Sequence, residues 1–123
     1  MGHAHSAPDP SDGGIMIIKH LSAHAKFSTE KMAKTDLAHG ATLFAGLNCF
    51  EPGQQHAAHA HPGQDKLYVV LEGDAEIQVG DETQLVSTGA AAFAPSGVMH
   101  SVRNCSDKRL IVLAVLAPPP TRS

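Results

Sequence analysis

The sequence predicts one small all-β barrel, and three observations carry that prediction. Val, Ile, Leu and Gly recur in short blocks, whereas helix-forming residues are not concentrated anywhere along the chain. Turn-forming residues separate these blocks at close and regular spacing, which is typical of a β-sandwich or barrel. The 123 residues fit a single domain, since domains commonly contain about 100–150 residues. We therefore expect a barrel over residues 15–118, between a flexible tail of residues 1–14 and a Pro-rich tail of residues 119–123.

Eight short blocks have the length and composition of strands. Two of the breaks between them, Glu72-Gly73-Asp74 and Gly80-Asp81, are typical of tight hairpin turns. The predicted strands are Leu43–Phe50, Gln55–His61, Leu67–Glu72, Ala75–Val79, Thr83–Ser87, Ala91–Ala94, Met99–Arg103 and Arg109–Leu116. Nearer the N-terminus, Ile15–Ile18 is predicted as a further strand. Ser28–His39 is predicted as a turn of helix that follows a Ser or Thr N-cap.

Composition argues against several classes of partner. The net charge of −3 gives no electrostatic footprint for nucleic acid or for an anionic membrane surface. The longest apolar run, Leu110–Ala117, is far shorter than the roughly 20 residues that a membrane span needs. No signal peptide opens the chain, so we expect a cytoplasmic protein. Cys49 and Cys105 do not make a disulfide framework, and we interpret them as a core residue and a loop thiol.

The chain contains nine histidines, as many as Lys and Arg together. His59-Ala60-His61 lies in a predicted strand, where side chains alternate between faces, so the two imidazoles should point the same way. Two imidazoles one pleat apart can hold a cation, and imidazole suits Zn, Cu, Fe and Ni. Such a pair needs a third ligand from a distant strand. His100, which follows the tight turn at Pro95-Ser96-Gly97, is the candidate.

These two segments resemble the two sequence motifs of the cupin superfamily. The first motif is a Gly, a His-x-His pair, an acidic residue and a second Gly, and the second motif ends in a His and an Asn. The chain matches the first motif at Gly53, His59, His61 and Gly73, and the second at Gly89, Pro95, Gly97, His100 and Asn104. The resemblance extends from about Leu43 to Pro118, and the two motifs follow in the correct order.

This resemblance implies a double-stranded β-helix, a jelly-roll-like barrel, that holds a divalent transition metal (Zn, Ni, Fe, Mn or Cu) on His59, His61 and His100. It implies a small-molecule function as a dioxygenase, isomerase or lyase that acts on an oxygen-rich or carboxylated compound. The alternative is a barrel that binds or senses a sugar or small acid without turnover. Members of the family are often homodimers, and we expect Ile15–Ile18 to pair with the barrel of a second copy.

The chain departs from the family pattern at the acidic position. Counting back from the closing glycine puts Lys66 where the motif has Glu. Three interpretations follow, in order of preference: a three-histidine site with open positions, a site completed by Asp65 or Gln64 through a bulge, or a barrel that has lost its metal. His56 is a further possible ligand, but its odd spacing from His59 predicts that it faces outward or lies in the loop.

Overall fold

The computed structural model describes residues 17–120, which form two antiparallel sheets that pack face to face. The five-stranded sheet has the order β1-β2-β9-β4-β7, and the four-stranded sheet has the order β3-β8-β5-β6. These strands are β1 (Ala33–His39), β2 (Phe44–Phe50), β3 (Gln55–His59), β4 (Asp65–Glu72), β5 (Asp74–Val79), β6 (Glu82–Ser87), β7 (Ala91–Ala94), β8 (His100–Arg103) and β9 (Leu110–Ala117). The all-β prediction and the double-stranded β-helix are confirmed.

The N-terminal third of the barrel differs from the sequence prediction. The segment Ser28–His39 is predicted as helical, but its second half is β1, which pairs antiparallel with β2. This pairing buries Leu37, so tertiary contacts override the weak local preference for a helix. The only helix among residues 17–120 is a single 3₁₀ turn at Leu21–His24. This part of the chain therefore contains no helix that is long and apolar enough to span a membrane. Ile17 and Ile18 are not in a strand, and Ile15 and Met16 lie outside the described residues.

Two apolar clusters stabilise the fold. The larger lies between the sheets, where Phe50 and Tyr68 of one sheet pack with Ile77 and Val102 of the other. The smaller lies on the outer face of the five-stranded sheet. There Ile18, Leu21 and Phe27 of the N-terminal segment pack on a buried group of Leu37, Leu47, Cys49 and Ile111. As predicted, Cys49 is a buried core residue and Cys105 is exposed, and both thiols are free.

Two residues of the family motifs have structural roles at turns. Gly73 has φ +93°, and a Cβ there would lie 2.5 Å from the carbonyl oxygen of Arg109. Asn104 is fully buried, and its amide donates hydrogen bonds to the carbonyl oxygens of Phe50 and Lys108. Both residues therefore hold the loop before β9 against the rest of the barrel.

Replacing Gly73 with alanine should destabilise the barrel more than the same change at Gly89. Both glycines have positive φ, but nothing lies within 4 Å of a Cβ at Gly89. Gly89→Ala should therefore cost about 1 kcal/mol of conformational strain. Gly73→Ala should cost about 2 kcal/mol more, because backbone must also move away from the new methyl group. Urea unfolding of the two variants measures the difference, and equal losses would contradict the close approach.

Candidate metal centre

The three histidines predicted as metal ligands lie together inside one end of the barrel. His59, the last residue of β3, is directly opposite His100, the first residue of β8, in the antiparallel ladder. Their ring centroids are 4.2 Å apart. The His61 ring lies 4.9 Å from that of His59 and 6.4 Å from that of His100, although His61 follows the end of the strand. His100 is buried and His61 is exposed, so the group extends from the core to the surface.

His56 also belongs to this group, and the expectation that it faces outward is wrong. Its ring centroid is 4.4 Å from that of His59. The reason is a β-bulge between the two residues, which shifts the register of β3 against β8 and cancels the odd spacing. The Nδ1 atom of His56 is buried and has no hydrogen-bond partner in the described part of the chain. Burial is the main cause that lowers the pKa of this imidazole to about 3.

Backbone carbonyls set the orientation of the two central imidazoles. Nδ1 of His59 lies 2.7 Å from the carbonyl oxygen of Ala57, and Nδ1 of His100 lies 2.9 Å from that of Val98. A carbonyl can only accept, so in each neutral ring Nδ1 carries the proton and Nε2 carries the lone pair. Burial lowers the pKa of both rings, which favours this neutral form. Metal-binding histidines are commonly anchored in this way, through the ring nitrogen that does not bind the metal.

Lys66, at the motif's acidic position, points into the barrel. The alternation of β4 puts Lys66, Tyr68 and Val70 on its buried face, and Lys66 is only 6% exposed. Its Nζ lies 3.3 Å from Nε2 of His59 and 5.7 Å from the centre of the Tyr68 ring. Burial and, to a smaller extent, the charge of Lys34 lower the pKa of this ammonium to about 8. At neutral pH it therefore stays mainly protonated and donates a hydrogen bond to the His59 lone pair.

The other two candidates for the acidic position have partners outside the histidine group. Asp65 is exposed, and its carboxylate accepts a hydrogen bond of 2.9 Å from the backbone nitrogen of Ser96. The side-chain amide of Gln64 donates one of 3.0 Å to the carbonyl oxygen of Pro118. The bulge that was required to turn either of them inward is not present in β4 near Lys66, where the pairing with β9 is regular. The structure therefore disfavours a site completed by Asp65 or Gln64.

The donor set fits a transition-metal ion in its chemistry, although not in its present arrangement. Among residues 17–120 the buried Nε2 of His100 has no hydrogen-bond partner, and it carries an unused lone pair beside two further imidazoles. In residues 17–120, however, no group of three or more His, Cys, Asp or Glu side chains is arranged to hold a metal. The ammonium of Lys66 lies at the lone pair on Nε2 of His59, so a metal can bind this nitrogen only after Lys66 moves away from the ring.

Two further residues influence the histidine group, and one of them, Lys34, was not identified from the sequence. The hydroxyl of Tyr68 is buried and has no hydrogen-bond partner from residue 17 to residue 120, and the Tyr68 ring lies 6.0 Å from that of His100. Burial raises the pKa of this phenol, which keeps it a hydrogen-bond donor. Lys34, on β1, lowers the pKa values of His56, His59 and Lys66 through its charge. Because Ser28–His39 was predicted as a turn of helix, the sequence did not indicate that Lys34 lies on a strand of the barrel.

Comparison with known proteins relates this geometry to one family. Residues 46–116 match the cupin domain family. An uncharacterized protein of Streptomyces coelicolor is 38% identical over 77 residues, which cover 63% of this chain and 71% of that protein. The crystal structure of TT1209 from Thermus thermophilus is 42% identical and superposes with a TM-score of 0.82, over 85% of this chain and 100% of that one. The oxalate-binding protein of Thermotoga maritima is 28% identical over 85 residues, which cover 69% of each chain.

Replacing Lys66 with glutamate should tighten the binding of zinc. The change removes the ammonium from the lone pair of His59 and adds a negatively charged oxygen ligand. The gain should be about 1–2 kcal/mol, which corresponds to about 5- to 30-fold in affinity, as for a charge-assisted contact. Competition with a chromophoric chelator measures it. Lys66→Met, which only removes the ammonium, should show a smaller gain, and Lys108→Glu on an exposed loop is the charge control. Equal affinities throughout would show that position 66 does not act on the imidazoles.

Proposed function

The chain belongs to the cupin family, and from that premise we propose that its barrel binds one divalent transition metal on His59, His61 and His100. The observation that carries this proposal is the buried, unpartnered Nε2 of His100, whose ring is anchored through Nδ1. We propose further that the metal centre acts on a small oxygen-rich or carboxylated molecule. When bound, a metal at this place supplies Lewis acidity, which polarises a carbonyl or acidifies a bound water.

The surroundings of the histidines support a small-molecule substrate. A cavity of about 560 Å³ borders His56, within the size range of ligand pockets. Exposure of His61 leaves the group open to solvent on one side. The Tyr68 hydroxyl can donate a hydrogen bond to a substrate oxygen, because it has no partner within the described residues. The name of the Thermotoga maritima relative, an oxalate-binding protein, supports a carboxylated ligand.

A second candidate function, binding without turnover, is favoured by the hydrogen bond between Lys66 and His59. While this hydrogen bond is formed, the Lys66 ammonium occupies the lone pair on Nε2 of His59, which a metal would need for coordination. The barrel then offers a cationic pocket without a Lewis acid, which suits capture of a ligand better than its conversion. Metal content of the purified protein, measured together with the binding of small ligands, separates the two functions.

We propose that the protein is a homodimer that uses the outer face of its five-stranded sheet. Leu67 of β4 and Phe93 of the edge strand β7 are direct neighbours in the ladder and are 38% and 54% exposed. A two-fold interface uses the same patch on both copies, so a single apolar patch is sufficient. The expectation that Ile15–Ile18 covers a second copy needs revision at one residue, because Ile18 packs on its own chain, whereas Ile17 is 79% exposed.

Loss of one of the ligating imidazoles should weaken metal binding. We expect one zinc per chain in the protein with His3 and His5 of the N-terminal tail replaced by alanine, which removes adventitious ligands. In that background, His100→Gln and His61→Ala should each lower zinc affinity by at least about tenfold, as for the loss of a metal-orienting or ligating group. His20→Ala, at an exposed histidine outside the group, is the control. Elemental analysis after zinc loading and dialysis gives the stoichiometry, and absence of zinc would contradict the metal-dependent function.

Charge placed on the proposed dimer face should separate the two copies. Phe93→Glu puts a carboxylate next to its symmetry mate or buries it at the interface, and either is costly. Light scattering at micromolar concentration should give a dimer for the unmodified protein and a monomer for this variant. Leu85→Glu on the other sheet, where Leu85 is 62% exposed, should leave the dimer intact. A monomeric unmodified protein would rule out this assembly.

A further inference from the structure

The interior of the barrel contains an ammonium, that of Lys66, for which residues 17–120 provide no ion pair. Lys66 is nearly fully buried, and its two polar contacts are the neutral His59 ring and the face of Tyr68. Glu51 pairs with Arg109 and Glu76 pairs with Arg103, and neither ion pair involves Lys66. A buried charge is costly unless an opposite charge compensates it. An anionic ligand that binds next to Lys66 would therefore compensate this buried charge.

Lys34 adds positive charge near this ammonium. Lys31 and Lys34 line the cavity that borders His56, and the charge of Lys34 acts on Lys66. Charges of one sign around a low-dielectric cleft focus the potential and raise the local concentration of the opposite ion. The opening between β1 and β3 is therefore a favourable entrance for an anion.

The shape and lining of the cavity indicate an organic anion rather than an inorganic one. Its volume of about 560 Å³ is much larger than a single inorganic ion needs. Met32 and Ala33 contribute apolar surface to its wall, next to the polar side chains of Ser28 and Gln55. Lys66 itself does not line this cavity, which borders the histidine group at His56, whose ring lies 4.4 Å from that of His59. A molecule with its organic body in the cavity would therefore extend its carboxylate past these two imidazoles to the ammonium.

We propose that Lys66 is the receptor for a small organic carboxylate, and that the metal-free barrel already binds this anion. The inference rests on the proposed function only in assigning the ligand to the same pocket. The carboxylate accepts hydrogen bonds from Nζ of Lys66 and from the Tyr68 hydroxyl, whose donor capacity is otherwise unused in the described chain. Lys66 occupies the position at which the family motif has an acidic residue. A carboxylate at that position would repel the anion that the Lys66 ammonium attracts.

Calorimetric titration of the full-length protein with malonate tests the proposal. The protein is first treated with EDTA and dialysed, and elemental analysis verifies that it is free of metal. We expect malonate to bind at one site per chain. Malonamide, its neutral analogue, and inorganic phosphate should bind at least about tenfold more weakly, as expected when a charge-assisted contact or the fit of the organic body is lost.

Variants at position 66 provide the decisive comparison. Lys66→Met and Lys66→Gln should each weaken malonate binding by at least about tenfold, whereas Lys66→Arg should retain most of it. Lys108→Met, which removes the same charge from an exposed loop, should have no effect. Undiminished binding in folded Lys66→Met and Lys66→Gln overturns the proposal. So does phosphate binding equal to that of malonate, or malonate binding that appears only after zinc is restored. Zinc titration of the same variants tests the metal centre separately, since Lys66→Met should bind zinc at least as tightly as the unmodified protein.

Discussion

The packing of the two sheets against each other is the constraint on which both the core and the site depend. His59 and His100 belong to the four-stranded sheet, whereas Lys66 and Tyr68 belong to the five-stranded sheet. The hydrogen bond between Lys66 and His59 therefore links the two sheets, and it lies at the end of the barrel beyond the apolar cluster between them. Each sheet alone would leave its polar groups in water. Only their closure removes water from the imidazoles and the ammonium, and this loss of solvation is the main cause of their lowered pKa values.

Most of the strands could be predicted from the sequence because they follow from local rules, and the three clustered histidines could be predicted because they match the motifs of a known family. Alternation and turn residues located the eight strands from β2 to β9, and the motif spacing brought His100 to the His-x-His pair. The β-bulge that turns His56 inward has no local signal, since it is defined by the register of β3 against a strand about 40 residues away. The strand β1 was missed for a related reason, because its pairing with β2 decides its structure.

The direction of Lys66 was the question that the sequence left open, and the alternation of β4 decides it. The neighbours on its face, Tyr68 and Val70, belong to the main core, so the register that buries them also carries Lys66 inward. Turning Lys66 outward would require a shift by one residue, which would expose the core of the strand. The cost of burying one ammonium is smaller than the cost of losing this register. The lysine is therefore held in the barrel by its apolar neighbours rather than by an opposite charge.

The same lone pair on His59 can serve only one cation at a time. An ammonium and a metal dication brought to it together repel each other, and this repulsion is strong where water is excluded. An anion between them would reduce the repulsion, so metal and carboxylate are expected to support each other once Lys66 has moved from His59. Without the metal, the ammonium itself provides the positive charge that attracts the anion. The side chain at the motif's acidic position thereby decides which ligand the barrel favours. A carboxylate there supports the metal and repels an anion, whereas Lys66 opposes the metal and attracts the anion.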